Sequence, residues 1–459
     1  TAALGRISFS KDGKYMAYGL SQSGSDWTDL YVKEVETGRV LDDVVRWLKF
    51  SGANWDTASE GFYYCAYDKP AKGAELSGQN QFQKVYYHKL GTPQSSDKLI
   101  YEDKEHPLRY FNGYDDGDTG EYIFVDASEG TSGRALMFKR KDDRKPFRTI
   151  FKGFDNEYAL AEVRDGKAYI YTNEAAPNFK LLCMDLDFNP ETSKEILPED
   201  AERMLQNVSF VGDYIIAIYM EDASNKVYQY NLDGTLVREI ELPGIGSVSG
   251  FGGKEDATET FYTFTSFTTP ATIYRYDLAT GESTLFAQPK VKFNPDDFTT
   301  EQIFFESKDG TKVPMFVSYR KGLKMNGKNP TYIYGYGGFN APIMPSFSST
   351  NIAMMEQGAI YVSVNLRGGN EYGEKWHQAG MLANKQNVFD DFIAAAEYLI
   401  AHKYTSPKKL SLSGGSNGGL LVGACMPHRP DLYAVAFPPF GFLDLLSLLP
   451  ISDPTILVT

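Results

Sequence analysis

The sequence predicts an all-β propeller followed by an α/β domain built on a doubly wound, mostly parallel sheet. Two observations predict this order. A sequence repeat of tight turns and aromatic-rich strands occurs six times before about residue 290. Beyond it, apolar strand patterns alternate with a helical pattern. We therefore place the propeller at residues 1–290 and an α/β domain, which we expect to be incomplete, at residues 291–459.

Each sequence repeat has two halves. The first is a tight turn followed by an aromatic-rich strand, clearest at residues 11–18 and 164–171, where Asp-Gly precedes the strand. The second is an alternating strand that ends in another turn, clearest at residues 273–281, which end in Thr-Gly. Asp-Gly and Thr-Gly supply the positive backbone torsions that tight hairpins require.

The period of the repeat favours a propeller. Successive units start roughly every 45 to 60 residues, the length of a four-stranded blade. Six units are visible, and the sequence starts abruptly at Thr1 without an initiator methionine. We therefore expect a seven-bladed propeller, with one blade partly lost before Thr1. A six-bladed propeller is the first alternative, and one or two β-sandwiches with incidental similarity are the second.

Composition and charge exclude several classes of function. Hydrophobic residues make up 42% and aromatic residues 14% of the chain, which allows large cores and suits β-rich architecture. The net charge of −14 argues against nucleic acid or an anionic membrane as a partner. The 3 cysteines and 5 histidines lack disulfide or metal-ligand spacing, so we expect neither a disulfide framework nor a metal site. Unpaired cysteines and the lack of a signal peptide predict a cytoplasmic protein.

Beyond residue 300 the patterns are those of an α/β domain. Strands are predicted at residues 303–305, 313–319, 331–336, 359–365 and 409–413. A helix is predicted from about residue 388 to residue 403. Its buried face carries apolar residues at helical spacing, namely Phe389, Phe392, Ile393, Ala396, Leu399 and Ile400. Asp390 and Asp391 fall in its first turn, where the helix dipole favours carboxylates.

A nucleophile is indicated by Gly414-Gly415-Ser416-Asn417-Gly418-Gly419, which follows a predicted strand and precedes a plausible helix start. The pattern G-x-S-x-G places a serine on a sharp strand-to-helix turn, where the flanking residues must be small. Such a serine needs a base, and the oxyanion that develops needs two donors. The amide of Asn417 is the natural first donor. Tyr336, in the glycine-rich residues 334–340, is a candidate for the second, or else a packed aromatic residue.

These segments together resemble the prolyl oligopeptidase family. The resemblance is carried by residues 334–340, 365–377, 382–392 and 414–421, and it continues through the repeats, including residues 17–27. Asn417 distinguishes the sequence from the sister oligopeptidase specific for basic residues, which typically has alanine at that position.

The resemblance implies a seven-bladed propeller capping an α/β-hydrolase domain, and cleavage of short peptides after proline. Ser416 would be the nucleophile, with the Tyr336 hydroxyl and the Asn417 amide as oxyanion donors. Phe339 matches a position that lines the proline pocket, and Phe50, from the propeller, matches another. The partners expected are small proline-containing peptides, no cofactor is implied, and we expect a monomer.

The sequence departs from the family's pattern after Ser416. The chain order in α/β-hydrolases is Ser, then Asp or Glu, then His, but only 459 − 416 = 43 residues follow the serine. His428 falls at the end of the elbow helix and is a poor candidate for the base, while Asp444 is either the acid or, more often, a helix cap. A further departure lies before the serine, in the predicted propeller, where Thr131 matches a position at which the family has a pocket cysteine. We expect a longer protein, with an intact mass above 51.3 kDa; an inactive truncated chain is the alternative.

Three functions are therefore considered. The leading one is a serine endopeptidase that cleaves oligopeptides after proline through an acyl-enzyme. A variant of the same class joins peptide ends after proline to give macrocycles. The rival from another class is a propeller that acts as a binding module beside an inactive hydrolase remnant.

Overall fold

The computed structural model describes residues 2–75, 78–441 and 443. Backbone contacts divide these residues into two compact units. One comprises residues 2–174 and 181–195, and the other comprises residues 175–180, 196–441 and 443. The first unit holds three four-stranded sheets and most of a fourth. The second holds a fifth, a sixth and a six-stranded mixed sheet.

Each four-stranded sheet is an antiparallel meander whose strands are consecutive in the chain, which is the repeat unit of a β-propeller. The strands of the first three sheets are β1 (Ala2–Phe9), β2 (Tyr15–Gln22), β3 (Thr28–Glu34), β4 (Val40–Leu48); β5 (Asn54–Trp55), β6 (Gly61–Ala66), β7 (Lys84–Lys89), β8 (Lys98–Glu102); β9 (Tyr110–Asp115), β10 (Tyr122–Ser128), β11 (Ala135–Arg140) and β12 (Arg148–Phe151). Those of the next three are β13 (Tyr158–Arg164), β14 (Lys167–Thr172), β15 (Lys180–Asp185), β16 (Lys194–Leu197); β17 (Met204–Val211), β18 (Tyr214–Glu221), β19 (Ser224–Asn231), β20 (Leu236–Ile240); β21 (Ser247–Gly250), β22 (Glu259–Thr265), β23 (Thr272–Asp277) and β24 (Ser283–Ala287).

These sheets confirm the predicted propeller and its six visible units. The predicted count of seven blades is wrong for the described part of the chain. The reason is that β1 to β24 account for every strand up to Ala287, four to a sheet, and so form six sheets.

The turns of the blades follow the predicted chemistry where glycine is present. Gly13 and Gly281, from an Asp-Gly and a Thr-Gly pair, have φ values of 74° and 77°. One hairpin does without glycine. Asp222 and Ala223 close the β18–β19 hairpin with φ values of 48° and 59°, and positive φ at both central residues is typical of a two-residue turn. Ala223 is fully buried, in a cluster with Phe267, Phe316 and other residues from both sides of residue 290.

The six-stranded sheet has the strand order β25-β26-β28-β27-β29-β30. Its strands are β25 (Phe298–Glu306), β26 (Lys312–Arg320), β27 (Thr331–Tyr334), β28 (Ile360–Val364), β29 (Leu410–Ser413) and β30 (Val435–Phe437). The pairs β25–β26 and β26–β28 are antiparallel, and the other three pairs are parallel. The α-helices are α1 (Ser349–Glu356), α2 (Glu374–Gln378), α3 (Gln386–Ala401) and α4 (Asn417–His428). Short 3-10 helices occupy Gln94–Ser96, Pro190–Thr192, Pro295–Asp297 and Leu382–Asn384.

Helices cover both faces of this sheet, as the doubly wound prediction requires. Met315 and Val362 belong to a core cluster that includes residues of α3 and α4. Their neighbours Phe316 and Tyr361 belong to another cluster, which includes residues of α1. Successive side chains of a strand point to opposite faces, so α1 lies on one face of the sheet and α3 and α4 lie on the other.

Helix α3 matches the predicted helix to within two residues at each end, but its buried face is rotated. The residues fully inside are Val388, Asp391, Phe392, Ala395, Ala396 and Leu399. The predicted core residues Phe389, Ile393 and Ile400 are only partly buried. Asp390 and Asp391 both lie in the second turn, not in the first as predicted. The Asp391 carboxylate accepts a hydrogen bond from Arg367 Nε at 2.9 Å. The ion pair, and not the helix dipole, explains why this carboxylate is there.

The part of the chain described here contains neither a helix suited to crossing a membrane nor a cluster of metal ligands. No helix there has the length and apolarity needed to cross a bilayer. No group of three or more His, Cys, Asp or Glu side chains there is arranged to hold a metal ion.

Candidate active site

Ser416 lies on a strained turn between β29 and α4. It is the N-cap residue of α4, with φ 56° and ψ −115°, in a region that side chains with a Cβ rarely occupy. The strain is held by backbone hydrogen bonds on both sides. Ser416 N donates to Pro439 O at 3.1 Å, and Gly419 N donates to Ser416 O at 2.9 Å. This is the strand-to-helix elbow that the motif predicts.

Gly414 and Gly418, each two residues from Ser416, are required because the neighbouring chain leaves no room for a side chain at either position. A Cβ on Gly414 would lie 2.4 Å from Gly418 O and 2.6 Å from Gly335 O. A Cβ on Gly418 would also lie 2.6 Å from Gly335 O. Gly335 follows β27, and its amide donates to Ser413 O at 3.1 Å. The elbow is therefore packed against the end of β27, which carries the chain directly into Tyr336.

Two candidate donors lie beside the Ser416 hydroxyl. The Tyr336 hydroxyl lies near enough to the Ser416 side chain to interact with it: burial raises the pKa of Tyr336, and the interaction with Ser416 offsets part of the rise. The phenol is therefore protonated at neutral pH and can donate. Asn417 is the first residue of α4, so its amide has no acceptor within the helix. A phenol and a free backbone amide next to a nucleophile are the elements of an oxyanion hole.

The side chain of Asn417 joins the elbow to the loop after β27. It is 2% exposed, and its Nδ2 donates to Tyr336 O at 2.7 Å. Its Oδ1 accepts a hydrogen bond from Lys385 Nζ at 3.2 Å, and the same ammonium group donates to Gly337 O at 2.8 Å. A Cβ on Gly338 would lie 2.5 Å from Asn417 Nδ2. The loop and the elbow are therefore in close contact.

Lys385 is a residue of the site that sequence reasoning missed. In the sequence it lies within the segment 382–392 that resembles the family, with no role of its own indicated. No spacing rule relates a lysine before α3 to a serine 31 residues later (416 − 385). One feature of the sequence could have indicated Lys385. It lies just before the predicted helix, where the helix dipole disfavours a positive charge, so a lysine there needs another reason.

The two predicted pocket residues lie in different units. Phe339 is half-buried in the second unit, has φ 58°, and places its ring centroid 6.4 Å from that of Tyr336. Phe339 belongs to the same loop as the candidate donor Tyr336, and its ring lies beside the Tyr336 ring. Phe50 lies just after β4 in the first unit and is 73% exposed. Thr131, the predicted replacement for a pocket cysteine, is half-buried in the same unit. The roles of Phe50 and Thr131 stay predictions.

The geometry argues against His428 as the base. It is the last residue of α4 and is exposed, whereas Ser416 caps the opposite end. A helix of 12 residues is about 18 Å long, too far for a proton transfer. Asp444 lies outside the described residues. A base and an acid for Ser416 are thus not found among the residues described after it.

A buried ion-pair network braces the loop that follows β28. Arg367 is 4% exposed and binds Asp391 of α3 and Asp309 from the β25–β26 turn. Its hydrogen bond holds the pKa of Asp309 well below the usual range. The next residue, Gly368, packs on the loop after β27, since a Cβ there would lie 2.8 Å from Gly337 O. The network therefore fixes the backbone on which the candidate site rests.

Comparison with known proteins identifies two regions of the chain. Residues 1–289 match a family model described as the prolyl oligopeptidase N-terminal beta-propeller domain. Residues 345–454 match the model of the prolyl oligopeptidase family.

The chain is similar to named peptidases over nearly its whole length. It is 47% identical to the prolyl endopeptidase of Elizabethkingia meningoseptica over 97% of this chain and 63% of that protein. It is 34% identical to the dual function macrocyclase-peptidase POPB of Galerina marginata, over 97% of this chain and 64% of that protein. The chain thus spans slightly less than two thirds of the length of these curated relatives.

The chain is also similar to solved structures of prolyl endopeptidases and prolyl oligopeptidases. A structure from a study of two prolyl endopeptidases, concerned with inter-domain dynamics in catalysis and specificity, superposes with a TM-score of 0.93 at 39% identity. The superposition covers 99% of this chain and 67% of the chain in that structure. Prolyl oligopeptidase B from Galerina marginata, bound to a 35mer hydrolysis and macrocyclization substrate, superposes with a TM-score of 0.90 at 32% identity. This superposition covers 99% of this chain and 66% of the Galerina marginata chain.

Proposed function

The chain belongs to the prolyl oligopeptidase family, and we propose that its protein is a serine endopeptidase that cleaves short peptides on the carboxyl side of proline. The observation that carries this proposal is the arrangement around Ser416. A serine on a strained elbow lies within reach of the Tyr336 phenol and directly before the free amide of Asn417.

The proposed chemistry is acyl transfer through Ser416. Its Oγ attacks the carbonyl carbon of the prolyl residue while a general base takes the hydroxyl proton. The carbonyl π electrons move to the oxygen, which becomes an oxyanion held by Tyr336 Oη–H and Asn417 N–H. Collapse of this intermediate expels the amine, which takes up the proton, and leaves an acyl-enzyme that water hydrolyses. The base and its acid, which the family's chain order places after Ser416, are not among the described residues.

The preference for proline is proposed on the aromatic residues near the site. The pyrrolidine ring is apolar and has no N–H group once it is part of a peptide, so a flat apolar wall suits it. Phe339 offers such a wall beside Tyr336. The role of Phe50 in binding substrate rests on the resemblance alone and stays a prediction. We propose that the propeller admits oligopeptides and excludes folded proteins.

A second candidate activity is the joining of peptide ends after proline. It is supported by the 34% identity to a relative that is named a dual function macrocyclase-peptidase. The same acyl-enzyme serves both reactions, and the outcome depends on whether water or the peptide's own amino terminus attacks it. A propeller that binds ligands beside an inactive hydrolase is the alternative from another class.

The test is hydrolysis of a fluorogenic peptide ending in Gly-Pro by the intact protein. We expect turnover, with a loss of about 10⁴-fold or more in Ser416→Ala. Ser406→Ala, which removes a hydroxyl away from the elbow, should retain activity. No turnover by the intact protein favours the binding module, and a preference for Arg over Pro favours the sister oligopeptidase. With a longer peptide, a product lighter by one water than the linear substrate would identify macrocyclisation.

The proposal also covers the compartment and the assembly of the protein. The cysteines Cys65, Cys183 and Cys425 are all free, which fits the reducing cytoplasm. We also propose a monomer, which light scattering coupled to gel filtration can test.

A further inference from the structure

Lys385 connects three segments that meet at the candidate active site. It directly precedes α3 as its N-cap residue, with φ −58° and ψ −28°. Its ammonium group donates to Gly337 O at 2.8 Å, in the loop after β27, and to Asn417 Oδ1 at 3.2 Å, in the first turn of α4. The loop carries Tyr336, and the helix turn carries the Asn417 amide. One side chain therefore contacts both segments that hold the oxyanion donors.

The position of this lysine is costly for the fold. Burial lowers the pKa of Lys385 to about 8, which shows that the charged form is poorly solvated. The amino-terminal end of a helix also disfavours a cation. No carboxylate in the described part of the chain forms an ion pair with Lys385, so neither cost is offset by a partner of opposite charge. Helix stability thus gives no reason for a lysine here.

The contacts of Asn417 show what the lysine holds in place. The carboxamide has two partners, Lys385 on its oxygen and Tyr336 O on its nitrogen. Gly338 packs so closely on this carboxamide that a Cβ would lie 2.5 Å from Nδ2. The lysine and the asparagine together therefore fix the backbone from the Tyr336 carbonyl to Gly338, directly after the phenol.

We propose that Lys385 is a positioning residue of the oxyanion hole, which acts through the Asn417 carboxamide and the Gly337 carbonyl. The proposal rests on the proposed function, because it needs Ser416 to form a tetrahedral intermediate. In this role the lysine transfers no proton and does not touch the substrate. It holds the two donor segments in register through its hydrogen bonds to Gly337 O and Asn417 Oδ1.

The test compares Lys385→Met with the control Lys408→Met in the intact protein. Lys408 is exposed and lies between α3 and β29. We expect Lys385→Met to lower kcat by about tenfold to 100-fold, because small displacements of aligned groups cost that much, while KM changes less than threefold. A proline aldehyde forms a tetrahedral adduct with the serine, so its inhibition constant should rise by the same factor as kcat/KM falls. Affinity for a product peptide should not change.

A double-mutant cycle tests the route through the asparagine. If Lys385 acts through the Asn417 carboxamide, then Lys385→Met should cost much less in an Asn417→Ala background than in the wild-type protein. Asn417→Ala also serves as the second variant if Lys385→Met does not fold, since it removes the same link from the other side. Additive effects would overturn the route. Unchanged kcat and aldehyde affinity in Lys385→Met would overturn the proposal, as would a rise in KM alone.

Labelling of Ser416 by a fluorophosphonate separates failure of this proposal from failure of the proposed function. The reaction needs an activated serine and an oxyanion hole but no prolyl substrate. If the wild-type protein is labelled without cleaving prolyl peptides, the substrate assignment is wrong, and Lys385 is judged by the labelling rate. Slower labelling in Lys385→Met supports the proposal, and an equal rate overturns it. A wild-type protein that shows neither reaction overturns both.

Discussion

Tyr336 shows how a single residue acquires a role from its surroundings. In the sequence it is one of 31 tyrosines, and a packed aromatic residue is the ordinary interpretation of it. In the structure its hydroxyl is within reach of Ser416 and its pKa is raised by burial. A phenol with a raised pKa remains a donor as the pH rises, so the proposed oxyanion hole does not lose Tyr336 in the neutral range.

We predict that Tyr336→Phe lowers kcat of the intact protein by about 10²- to 10³-fold, because the change removes one of two oxyanion donors. KM should change little, since the lost hydrogen bond forms mainly in the transition state. Steady-state kinetics on a Gly-Pro substrate checks this. Tyr334→Phe, two residues earlier in β27, is the control and should keep its activity. A raised KM with normal kcat would instead place Tyr336 in substrate binding.

Single residues also show where sequence reasoning succeeds and where it fails. The motif singles out Ser416 and Asn417, because a turn that exposes a serine requires small neighbours and so leaves a local pattern. Lys385 and the Arg367–Asp391 pair leave none, since their partners lie 24 to 58 residues away along the chain. Such contacts exist only once the chain has folded.

At the scale of elements, a buried histidine links two neighbouring sheets of the first unit. His88 of β7 is fully buried, with Nδ1 2.8 Å from Asp97 Oδ1 and Nε2 3.1 Å from Asp43 Oδ1. Asp43 belongs to β4, and Asp97 directly precedes β8. Burial lowers the pKa of His88, but the hydrogen bonds and charges of Asp97 and Asp43 outweigh it, so that the net shift is upward.

The raised pKa predicts that His88 stabilises the fold less as the pH rises. Folded His88 holds its proton more tightly than unfolded histidine does, so its contribution is full below about pH 6.5. It is lost as the pH rises through the folded pKa. We expect the difference in Tm between the wild-type protein and His88→Gln to shrink from pH 6 towards pH 9, as measured by calorimetry. The exposed His402 gives the control His402→Gln. A difference that is constant or grows with pH would contradict the assignment.

The elements differ in how well local patterns predict them. Helix α3 is predicted to within two residues because its apolar spacing is long and regular. Its exact buried face is not predicted, because Asp391 is drawn inside by Arg367 of a distant loop. The β18–β19 turn is likewise unpredicted. Asp222 and Ala223 adopt positive φ without glycine, and burial of Ala223 in the aromatic cluster is what favours that conformation.

For the whole molecule, the acidic charge is the property that the sequence states most directly. With a net charge of −14, the protein repels polyanions, and neutralising phosphates requires clustered Lys and Arg. We predict no retention of duplex DNA in a mobility-shift assay at 50 mM salt and no binding to vesicles that contain anionic lipid. A basic protein of similar size is the positive control. Salt-sensitive binding at micromolar concentration would contradict the prediction.

The whole molecule also shows that a repeat in sequence and a compact unit in space need not coincide. The repeat ends near residue 290, yet the fifth and sixth sheets share a compact unit with the mixed sheet. Within that unit the Tyr372 hydroxyl donates to Asp222 Oδ1 at 2.8 Å, and the aromatic cluster around Ala223 joins the same segments. The domain boundary at residue 290 remains a prediction about the sequence pattern.

The sequence by itself determined the kinds of element, their order and the candidate nucleophile. These depend on periodicity, turn chemistry and small residues, all of which act over a few neighbouring positions. Only the tertiary structure decided that Tyr336 lies beside Ser416 and that Lys385 contacts both segments that carry the candidate donors. The physical reason is that hydrogen bonds and burial between distant segments are set by the packing of β27, β29, α3 and α4. A linear pattern does not contain that packing.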